Sequence, residues 1–288
     1  MPKTSIARRD PRCRLFDVLL CPLCHDRLEP SGRTLRCVRQ HAFDIARHGY
    51  VSLLTGNMRT ASADTAAMVQ ARAAFLNAGH YGPLARALAD LTAQRCRPGG
   101  TVLDAGAGTG YYLATALDAI PRAVGLGLDT SKFALRRAAR AHPRAGAAVW
   151  DVWQSFPART GSVDVVLNVF APRNGPEFRR VLRPDGALLV VTPTPRHLSE
   201  LRDELVLLSV DAAKEERLHR TLDAHFRPER TEPLEYAITL TNQEVHDVVS
   251  MGPTARHVSP DELQRRITRL DAPLQVTASF TVSFYRPR

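Results

Sequence analysis

The apolar residues between positions 101 and 192 fall into short runs that alternate with segments of helical periodicity. The runs that predict strands are 101–105, 123–129, 147–151, 163–169 and 187–192, and the segments that predict helices are 112–119, 132–141 and 176–182. Short buried strands that alternate with helices are typical of a parallel sheet covered by helices on both faces. The pattern therefore predicts an α/β domain, with a turn at residues 183–186.

The regions on either side of this alternating segment have different patterns. Residues 66–97 show helical periodicity that is interrupted at 78–83, which predicts two helices. Further along, we predict a charged helix at 198–208 and strands at 234–240 and 275–285, with helices between the two strands.

A chain of 288 residues is long enough for one large domain and one small domain. Cysteine and histidine gather near the front, and residues 57–65 are small and polar, which suits a linker. We therefore divide the chain into a basic leader at 1–18, a Cys/His-rich unit at 19–56, a linker and helical segment at 57–98 and the α/β domain at 99–288.

The composition excludes several classes of protein. A hydrophobic fraction of 44% is ordinary for a globular protein, and no uninterrupted apolar run reaches the roughly 18–20 residues that a membrane-spanning helix needs. The leader has no pattern typical of signal-peptide cleavage, so we expect a cytoplasmic protein. Five cysteines, an odd number clustered toward one end, indicate metal binding rather than a disulfide framework.

The net charge of +10 is distributed unevenly along the chain. Residues 1–100 carry +8, residues 101–200 carry +4 and residues 201–288 carry −2. A basic front half favours a polyanionic partner such as a nucleic acid. The alternative is an arginine-rich composition without a specific role.

The Cys/His-rich unit contains a candidate zinc site. Four ligands share the spacing C-x2-C-x12-C-x3-H: Cys21, Cys24, Cys37 and His41. Two close pairs separated by a hairpin-sized gap are what a tetrahedral zinc site requires, and four protein ligands make the site structural. His25 and His48 are alternatives to His41 for the fourth position.

A glycine-rich loop follows the first strand of the α/β domain, with the sequence L-D-A-G-A-G-T-G at 103–110. Glycines there let the chain turn sharply and let a ligand approach the backbone. Dinucleotide-binding loops have the pattern G-x-G-x-x-G, whereas here Tyr111 occupies the position of the third glycine. A nicotinamide cofactor is therefore the weaker alternative.

The D-x-G-x-G-x-G form resembles the first motif of the Rossmann-like class I methyltransferases. That resemblance implies S-adenosylmethionine as methyl donor, with Asp104 beside its cationic part. Two further acids end predicted strands: Asp129, at the end of the second strand, suits the ribose hydroxyls, and Asp151, at the end of the third, suits the adenine amino group. The alternative is that these acids are ordinary turn and helix-capping residues.

The order of these motifs resembles one family more closely. The shared strings are C-P-L-C at 21–24, H-A-F-D-I-A-R-H-G-Y-V-S-L-L at 41–54, R-A-A-F-L-N-A-G-H-Y at 72–81, N-V-F-A-P-R-N at 168–174 and T-P-T-P-R-H-L at 192–198. They are similar to those of the bacterial 23S ribosomal RNA guanine methyltransferases that carry an N-terminal zinc ribbon and act on ring nitrogen 1. The similarity is strongest to their macrolide-resistance branch, the tylosin- and mycinamicin-resistance enzymes.

This resemblance implies which residues contact the methyl donor. In this family the residues that match Tyr81, Gly108, Thr109 and His197 contact the donor. Together with the residues that the general methyltransferase motif indicates, the candidate donor-binding residues are Tyr81, Asp104, Gly106, Gly108, Thr109, Asp129, Asp151 and His197. Many relatives have an acidic residue at the position of Thr109, so that side-chain contact is lost while the backbone contact remains. Tyr81 could instead fill the seam between helices and sheet, and His197 could be a simple cap at a strand exit.

The resemblance also implies the substrate, a guanine in a loop of 23S ribosomal RNA, and resistance to macrolides such as tylosin or mycinamicin. Asn168 and Phe170 lie at the exit of the fourth predicted strand, where such enzymes place a substrate-facing loop; for Phe170, core packing is an equal alternative. No residue is a convincing general base, and Asp164 lies at the wrong end of its strand. The oligomeric state, monomer or homodimer, stays open.

The zinc unit is expected to recognise RNA, because it carries several arginines interleaved with Phe43 and Tyr50. The alternative is that these arginines are merely solvated and that Phe43 and Tyr50 form the small core of the unit, which for the two aromatic residues is the favoured interpretation. The arginines are Arg27, Arg33, Arg36, Arg39 and Arg47. Two other functions compete with this interpretation. One is a small-molecule methyltransferase of an antibiotic pathway, which leaves the zinc unit unexplained. The other is a zinc-dependent RNA-binding protein without catalysis, which leaves the three strand-end acids unexplained.

Overall fold

The computed structural model describes residues 11–56, 63–205, 221–252 and 258–288. Three sequence predictions fall partly outside the described residues: the leader before residue 11, the linker at 57–62 and the end of the charged helix at 206–208. No helix within the described residues is long and apolar enough to cross a membrane.

A small antiparallel sheet near the front is built from the Cys/His-rich unit, and a large sheet follows. The small sheet contains β1 (Glu29–Ser31), β2 (Thr34–Arg36) and β3 (Ala42–Asp44). The large sheet contains β4 (Val51–Ser52), β5 (Thr101–Ala105), β6 (Val124–Asp129), β7 (Ala145–Val149), β8 (Val163–Val169), β9 (Leu182–Pro193), β10 (Phe226–Leu240) and β11 (Leu274–Pro287).

Helices cover both faces of the large sheet. They are α1 (Ala66–Asn77), α2 (Gly82–Ala93), α3 (Tyr111–Ala119), α4 (Lys132–Ala141), α5 (Gly175–Val181), α6 (Ser199–Leu205), α7 (Asn242–Ser250) and α8 (Pro260–Ile267). The strand order is β10-β11-β9-β8-β5-β6-β7-β4, with parallel pairing from β4 to β9 and antiparallel pairing of β11 with both β9 and β10. The predicted α/β class is therefore confirmed, and the antiparallel edge makes the sheet a mixed one.

Two sequence predictions about the strands are wrong in detail. The third predicted strand, 147–151, is β7 at 145–149, so Asp151 lies beyond the strand. The strand begins with the small residues Ala145 and Gly146, which carry little hydrophobic signal, and Leu15 of the leader occupies the space where a side chain at position 146 would lie. The predicted turn at 183–186 is instead a register shift inside β9, between the pairs Val163–Leu182 and Val165–Ala187.

The leader is built into the fold from residue 11 onward. Residues Pro11–Asp17 form a 3₁₀ helix, which contacts β6 and β7. Three hydrophobic residues of this segment are buried: Leu15 within the helix and Val18 and Leu19 just after it. Leu19 also forms an isolated antiparallel bridge with Ala158. This part of the basic leader therefore packs against the α/β domain.

The zinc unit and the α/β domain share one hydrophobic cluster. Leu28, Leu35 and Phe43 of the unit belong to the same buried cluster as Leu103 and Leu126 of the large sheet. The unit also supplies β4, whose Val51 pairs in parallel with Ala148. The segment boundaries inferred from the sequence stay predictions. Because the core is continuous, the stability of the zinc unit is coupled to that of the α/β domain.

We predict that Leu15→Ala lowers the free energy of unfolding by about 3 kcal/mol, because it empties a buried leucine site next to Gly146. The measurement is urea denaturation followed by circular dichroism. Leu23→Ala is the control, since Leu23 is 54% exposed and its truncation changes stability by about 0.5 kcal/mol or less. Equal effects of the two substitutions would show that the leader does not pack as described.

Candidate active site and metal centre

The glycine loop lies where the strand order reverses direction. β5 pairs with β6 on one side and with β8 on the other, and ligands of open α/β sheets bind at such a switch point. Gly106 has φ +89°, and a Cβ there would lie 2.3 Å from the Cβ of Ala171. The loop after β5 therefore touches the loop after β8, which only glycine at position 106 permits.

Asp129, at the end of β6, holds the glycine loop in place. Its Oδ2 accepts the backbone N–H of Gly108 at 2.9 Å, and its Oδ1 accepts that of Ser131 at 2.8 Å. Burial raises the pKa of Asp129, and these two backbone hydrogen bonds oppose the rise. Asp129 thus orients the loop backbone, and its remaining lone pairs can accept hydroxyl groups of a ligand.

Asp104, inside β5, is a buried carboxyl group without a hydrogen-bond partner. Its side chain is 1% exposed, and Oδ2 contacts no donor among the described residues. Burial, with a smaller contribution from the charge of Asp129, raises the pKa of Asp104 to about 8. A nearby cationic ligand would favour its ionised form.

Asp151 is placed differently from the other two acids. It lies two residues after β7, where its Oδ1 accepts the backbone N–H of Trp153 at 3.0 Å. This is the geometry of a turn residue. Its contact with adenine therefore stays a prediction that rests on the family resemblance.

Tyr81 and His197 meet although 116 positions separate them. The N–H of Ser279 donates to His197 Nδ1 at 3.2 Å, so the ring proton lies on Nε2, which donates to the Tyr81 hydroxyl oxygen at 2.9 Å. Burial lowers the pKa of His197 to about 4 and raises that of Tyr81, so both groups are neutral near pH 7. The Tyr81 O–H is thereby free to donate to a ligand.

Tyr81 also fills the seam between helices and sheet, as the alternative interpretation proposed. It is 2% exposed and packs edge-on against Phe75 and Phe280. The neighbouring His80 is fixed by Glu244 of α7, with Nε2 and Oε1 2.8 Å apart. The A-G-H-Y string therefore anchors α1 and α2 to the rest of the domain and delivers a hydroxyl group to the site.

Phe170 follows β8 in a left-handed backbone conformation, with φ +54°. Such a conformation is rare for a bulky residue and often marks a functional site. Its ring is 45% exposed and lies within 6.5 Å, between ring centroids, of Tyr81, Tyr112 and Phe280. Phe170 therefore presents an aromatic surface to solvent at the mouth of the site.

Asn168, at the end of β8, ties that strand to β5. Its Nδ2 donates to the carbonyl oxygens of Ala105 at 3.1 Å and Pro172 at 2.8 Å, whereas Oδ1 has no donor within the described part of the chain. Both amide hydrogens are used by the backbone. Asn168 can therefore offer a substrate or donor only an acceptor.

The structure adds residues that the sequence analysis missed. One is Tyr112, which directly follows Tyr111, the residue in the position of the third glycine. Its buried hydroxyl group has no hydrogen-bond partner among the described residues. Arg72 pairs with Asp64 and donates to the carbonyl of Met251, and Ser131 donates to the carbonyl of Asp64. Arg72 lies inside the R-A-A-F-L-N string, which was the one signal that could have identified it.

The four predicted zinc ligands come together. The ligand atoms of Cys21, Cys24, Cys37 and His41 all lie within 4.8 Å of one another. His41 Nδ1 is 3.5 Å from the Cys21 sulfur and 3.4 Å from the Cys37 sulfur, and the Cys24 and Cys37 sulfurs are 3.6 Å apart. His25 and His48 are not part of this group.

These distances fit a tetrahedral zinc ion. Zinc–sulfur bonds of about 2.3 Å place two sulfurs of a tetrahedron about 3.8 Å apart. The residues around the glycine loop also fit the expected methyl donor, because Asp104 Oδ2, Asn168 Oδ1 and the Tyr112 hydroxyl are buried polar atoms without partners in the described part of the chain. A methyl donor with a sulfonium and an ammonium group supplies the positive charge that such a carboxyl group favours.

Comparison with protein families supports both sites. Residues 19–60 match the family described as RlmA, N-terminal, a zinc ribbon, and residues 102–186 match a methyltransferase domain. The sequence prediction of a zinc ribbon ahead of a Rossmann-like methyltransferase is thereby confirmed. The cofactors are S-adenosylmethionine and one structural zinc ion.

Individual relatives cover nearly the whole chain. The 23S rRNA (guanine(748)-N(1))-methyltransferase of Streptomyces fradiae is 51% identical over 272 residues, 93% of this chain and 96% of the relative. A 23S rRNA (guanine-N(1)-)-methyltransferase homologue of Micromonospora griseorubida is 53% identical over 291 residues, 95% of this chain and 98% of the relative. A Bacillus subtilis homologue, YxjB, is 35% identical over 261 residues, 86% of this chain and 90% of the relative.

We predict that Cys37→Ser releases the zinc ion and lowers the melting temperature of the whole chain. The reason is that the ribbon loses one of four ligands while its core continues into the large sheet. Zinc content is measured by atomic emission and unfolding by calorimetry. Cys96→Ser, which lies outside the cluster, should keep one zinc per chain. Full zinc content in Cys37→Ser would contradict the assignment.

We predict opposite effects of Asp104→Asn on stability and on donor binding. With a folded-state pKa of about 8, above the unfolded value, ionisation of Asp104 destabilises the folded protein increasingly as the pH rises from about 4 to 8. Without donor, the variant should therefore melt at a higher temperature than the original protein at pH 8, with little difference at pH 4.

Binding of S-adenosylhomocysteine should release a proton near pH 7 from the original protein, because its ammonium group favours ionised Asp104. Calorimetry in two buffers of different ionisation enthalpy measures this proton. Asp104→Asn should bind more weakly and release none. Binding that is independent of pH in both proteins would contradict a role for this carboxyl group.

Proposed function

The chain belongs to the family of 23S rRNA (guanine-N(1)-)-methyltransferases, and from that membership we propose that it methylates ring nitrogen 1 of one guanine in 23S ribosomal RNA. The observation that carries the proposal is identity of 51–53% over more than nine tenths of the chain, covering both the ribbon and the catalytic domain. Since the Streptomyces fradiae relative is named for guanine 748, the equivalent guanine is the proposed target.

The geometry of the site supports transfer to a large planar substrate. The exposed ring of Phe170 stands beside the buried Tyr81–His197 pair, at the end of β8 and next to the glycine loop. Stacking on an aromatic ring is a common way to hold an unpaired RNA base. We therefore assign Phe170 to the guanine and the glycine loop to the donor.

Donor binding is assigned to the polar groups around the glycine loop. The Tyr81 hydroxyl can donate to a carboxylate, the Asp104 carboxyl and Asn168 Oδ1 can accept from cationic or N–H groups, and Asp129 can accept ribose hydroxyls. Gly106, Gly108 and Thr109 offer backbone to the ligand, which the positive φ of Gly106 and Gly108 permits. S-adenosylmethionine supplies the methyl group.

Methylation at ring nitrogen 1 forms a carbon–nitrogen bond, breaks the carbon–sulfur bond of the donor and releases the N1 proton. Neither His197 Nε2, which donates to Tyr81, nor Asp104, which is buried behind the loop, is placed to accept that proton. Asp164 is committed at the opposite end of β8, where it accepts from Arg97 Nε at 2.6 Å. We therefore assign no general base and attribute the rate mainly to alignment of the two reacting atoms.

The same proposal extends to the biological role. Modification of this guanine would confer resistance to macrolides such as tylosin or mycinamicin, as the resemblance implies, and would take place in the cytoplasm, where ribosomes are found. A small-molecule methyltransferase does not account for the zinc ribbon that the family match includes. A binding protein without catalysis does not account for a donor loop in which Asp104, Asp129 and the glycines are all present.

We predict that the purified protein, with S-adenosylmethionine, produces one reverse-transcription stop at the equivalent of guanine 748 on a 23S rRNA transcript. N1 methylation blocks base pairing, so primer extension detects it directly. Gly108→Arg is the inactive control. Position 108 has φ +53°, which strains a residue other than glycine, and the new arginine side chain would be placed beside Arg72 in the loop that is proposed to bind the donor. No stop with the original protein, despite donor binding, would exclude this substrate.

A further inference from the structure

A group of basic residues on α4 and on the neighbouring turn of the zinc ribbon has no acidic partner among the residues that the structure describes. We call it the α4 patch, and it consists of Arg47, Lys132, Arg136, Arg137 and Arg140. All except Arg136 are exposed, and none forms an ion pair with a carboxylate of the described residues. Five unneutralised positive charges on one surface favour an anionic partner.

The patch is assembled by contact between the ribbon and α4. A Cβ at Gly49 would lie 3.5 Å from that of Ala139, so the turn at 46–49 rests on the helix. His48 sits between two guanidinium groups, with Nδ1 2.9 Å from Arg140 Nη2 and Nε2 3.1 Å from Arg47 Nε. The ribbon thus brings Arg47 beside the arginines of α4.

His48 adds no charge to this surface at neutral pH. Burial and the charges of Arg140, Arg47 and Arg136 lower the pKa of its imidazole. A neutral ring between two arginines holds them apart without neutralising either one, and its single lone pair accepts from only one of them. Both guanidinium groups keep N–H donors for an external acceptor.

Arg136 carries a charged donor that no described residue satisfies. Its buried Nε has no hydrogen-bond partner within the described residues, which is costly for a charged donor. Its guanidinium carbon and the Lys132 ammonium both lie over the Phe133 ring, 5.2 and 5.4 Å from the centroid. The ring fixes two cations side by side, and a phosphate oxygen is the acceptor that this arrangement lacks.

Two arginines of the ribbon outside the patch, Arg27 and Arg39, are neutralised by carboxylates, whereas Arg33 and Arg36 form no ion pair with a described residue. Arg39 pairs with Asp26 at 2.9 Å, Arg27 pairs with Asp17, and Arg33 donates to the carbonyl of Ile45. Neutralised arginines contribute less to the attraction of a polyanion. The expected RNA surface therefore lies on the α4 side of the ribbon rather than on the hairpin.

The patch leads toward the donor site. Arg137 also lines a groove of about 270 Å³ between α1, α3 and α4, and Thr109 of the glycine loop lines the same groove together with Asn77 and Tyr111. Asp118 is the one carboxylate among the described residues that line it, and its nearest basic partner is His142, at 3.3 Å. A chain bound along α4 would thus extend from the zinc ribbon to the glycine loop.

We propose that the α4 patch binds the phosphodiester backbone of the ribosomal RNA segment next to the target guanine. The inference rests on the proposed function for the identity of the RNA. The ribbon would then act in recognition chiefly by placing Arg47 beside α4 and by fixing the relative position of patch and donor loop.

The test compares three triple variants of equal charge. The patch triple, Arg47→Ala, Arg137→Ala and Arg140→Ala, removes three of the five charges of the patch. The hairpin triple is Arg33→Ala, Arg36→Ala and Arg39→Ala, and the control triple is Arg227→Ala, Arg265→Ala and Arg269→Ala. Binding of a fluorescent transcript containing the target hairpin is measured by anisotropy from 50 to 400 mM KCl. Melting temperature, zinc content and affinity for S-adenosylhomocysteine are measured for each variant.

The patch triple should weaken RNA binding at least tenfold at 150 mM salt and reduce the slope of log K against log salt by about 2, since three phosphate contacts are lost. The other triples should change affinity less than threefold, and donor affinity should stay within twofold throughout. Arg137→Glu, which leaves the ribbon contacts untouched, should weaken RNA binding even if the triple folds poorly.

An equal loss in all three triples would show that only net charge matters and would overturn the proposal. A loss confined to the hairpin triple would overturn it as well. Failure of the proposed function is seen separately, because binding is measured without methyl transfer: an original protein that binds the transcript through the patch but leaves no reverse-transcription stop contradicts the function and not the patch.

Discussion

The site depends on the close approach of two loops at the centre of the sheet. The chain after β5 passes Ala171 so closely at Gly106 that no side chain fits between them. Asn168 reinforces this contact by donating to the carbonyl of Ala105, and Asp129 fixes the other side by accepting the N–H of Gly108. Because both loops are held by the ends of buried strands, the proposed donor and substrate positions lie on the same rigid scaffold.

This arrangement has a cost in stability. Asp104 Oδ2, Asn168 Oδ1 and the Tyr112 hydroxyl are buried without partners among the described residues, and each such group destabilises a folded chain. They cluster around a left-handed Phe170 at the switch point of the sheet. A site for a cationic methyl donor requires polar groups that are unfavourable when the donor is absent and hydrogen-bonded when it is bound. In the proposed donor site, the atoms that destabilise the fold are therefore the ones that would strengthen donor binding.

The zinc ribbon is coupled to catalysis through packing rather than through chemistry. Its core continues into the large sheet, its last strand joins the sheet edge, and its turn at 46–49 rests on α4. A small unit with four metal ligands can be rigid without a large core of its own. A rigid ribbon attached over such a wide area keeps any RNA contact it makes at a constant distance from the donor loop.

The sequence by itself determined the features that depend on nearby residues. Cysteine spacing indicated the four ligands that the structure groups together, and hydrophobic periodicity located α4 at 132–141 and β8 at 163–169 with the observed bounds. The family resemblance, which rests on short strings, was confirmed by relatives that cover nearly the whole chain.

The tertiary structure alone decided what depends on residues far apart in the chain. It placed Leu15 of the leader over Gly146, inserted β11 antiparallel between β9 and β10, joined Tyr81 to His197 and left Asp151 beyond its strand. Patterns of polar and apolar residues record which side chains are buried and at what period. They do not record which distant segment buries them, because that choice is made by packing and strand pairing over the whole domain.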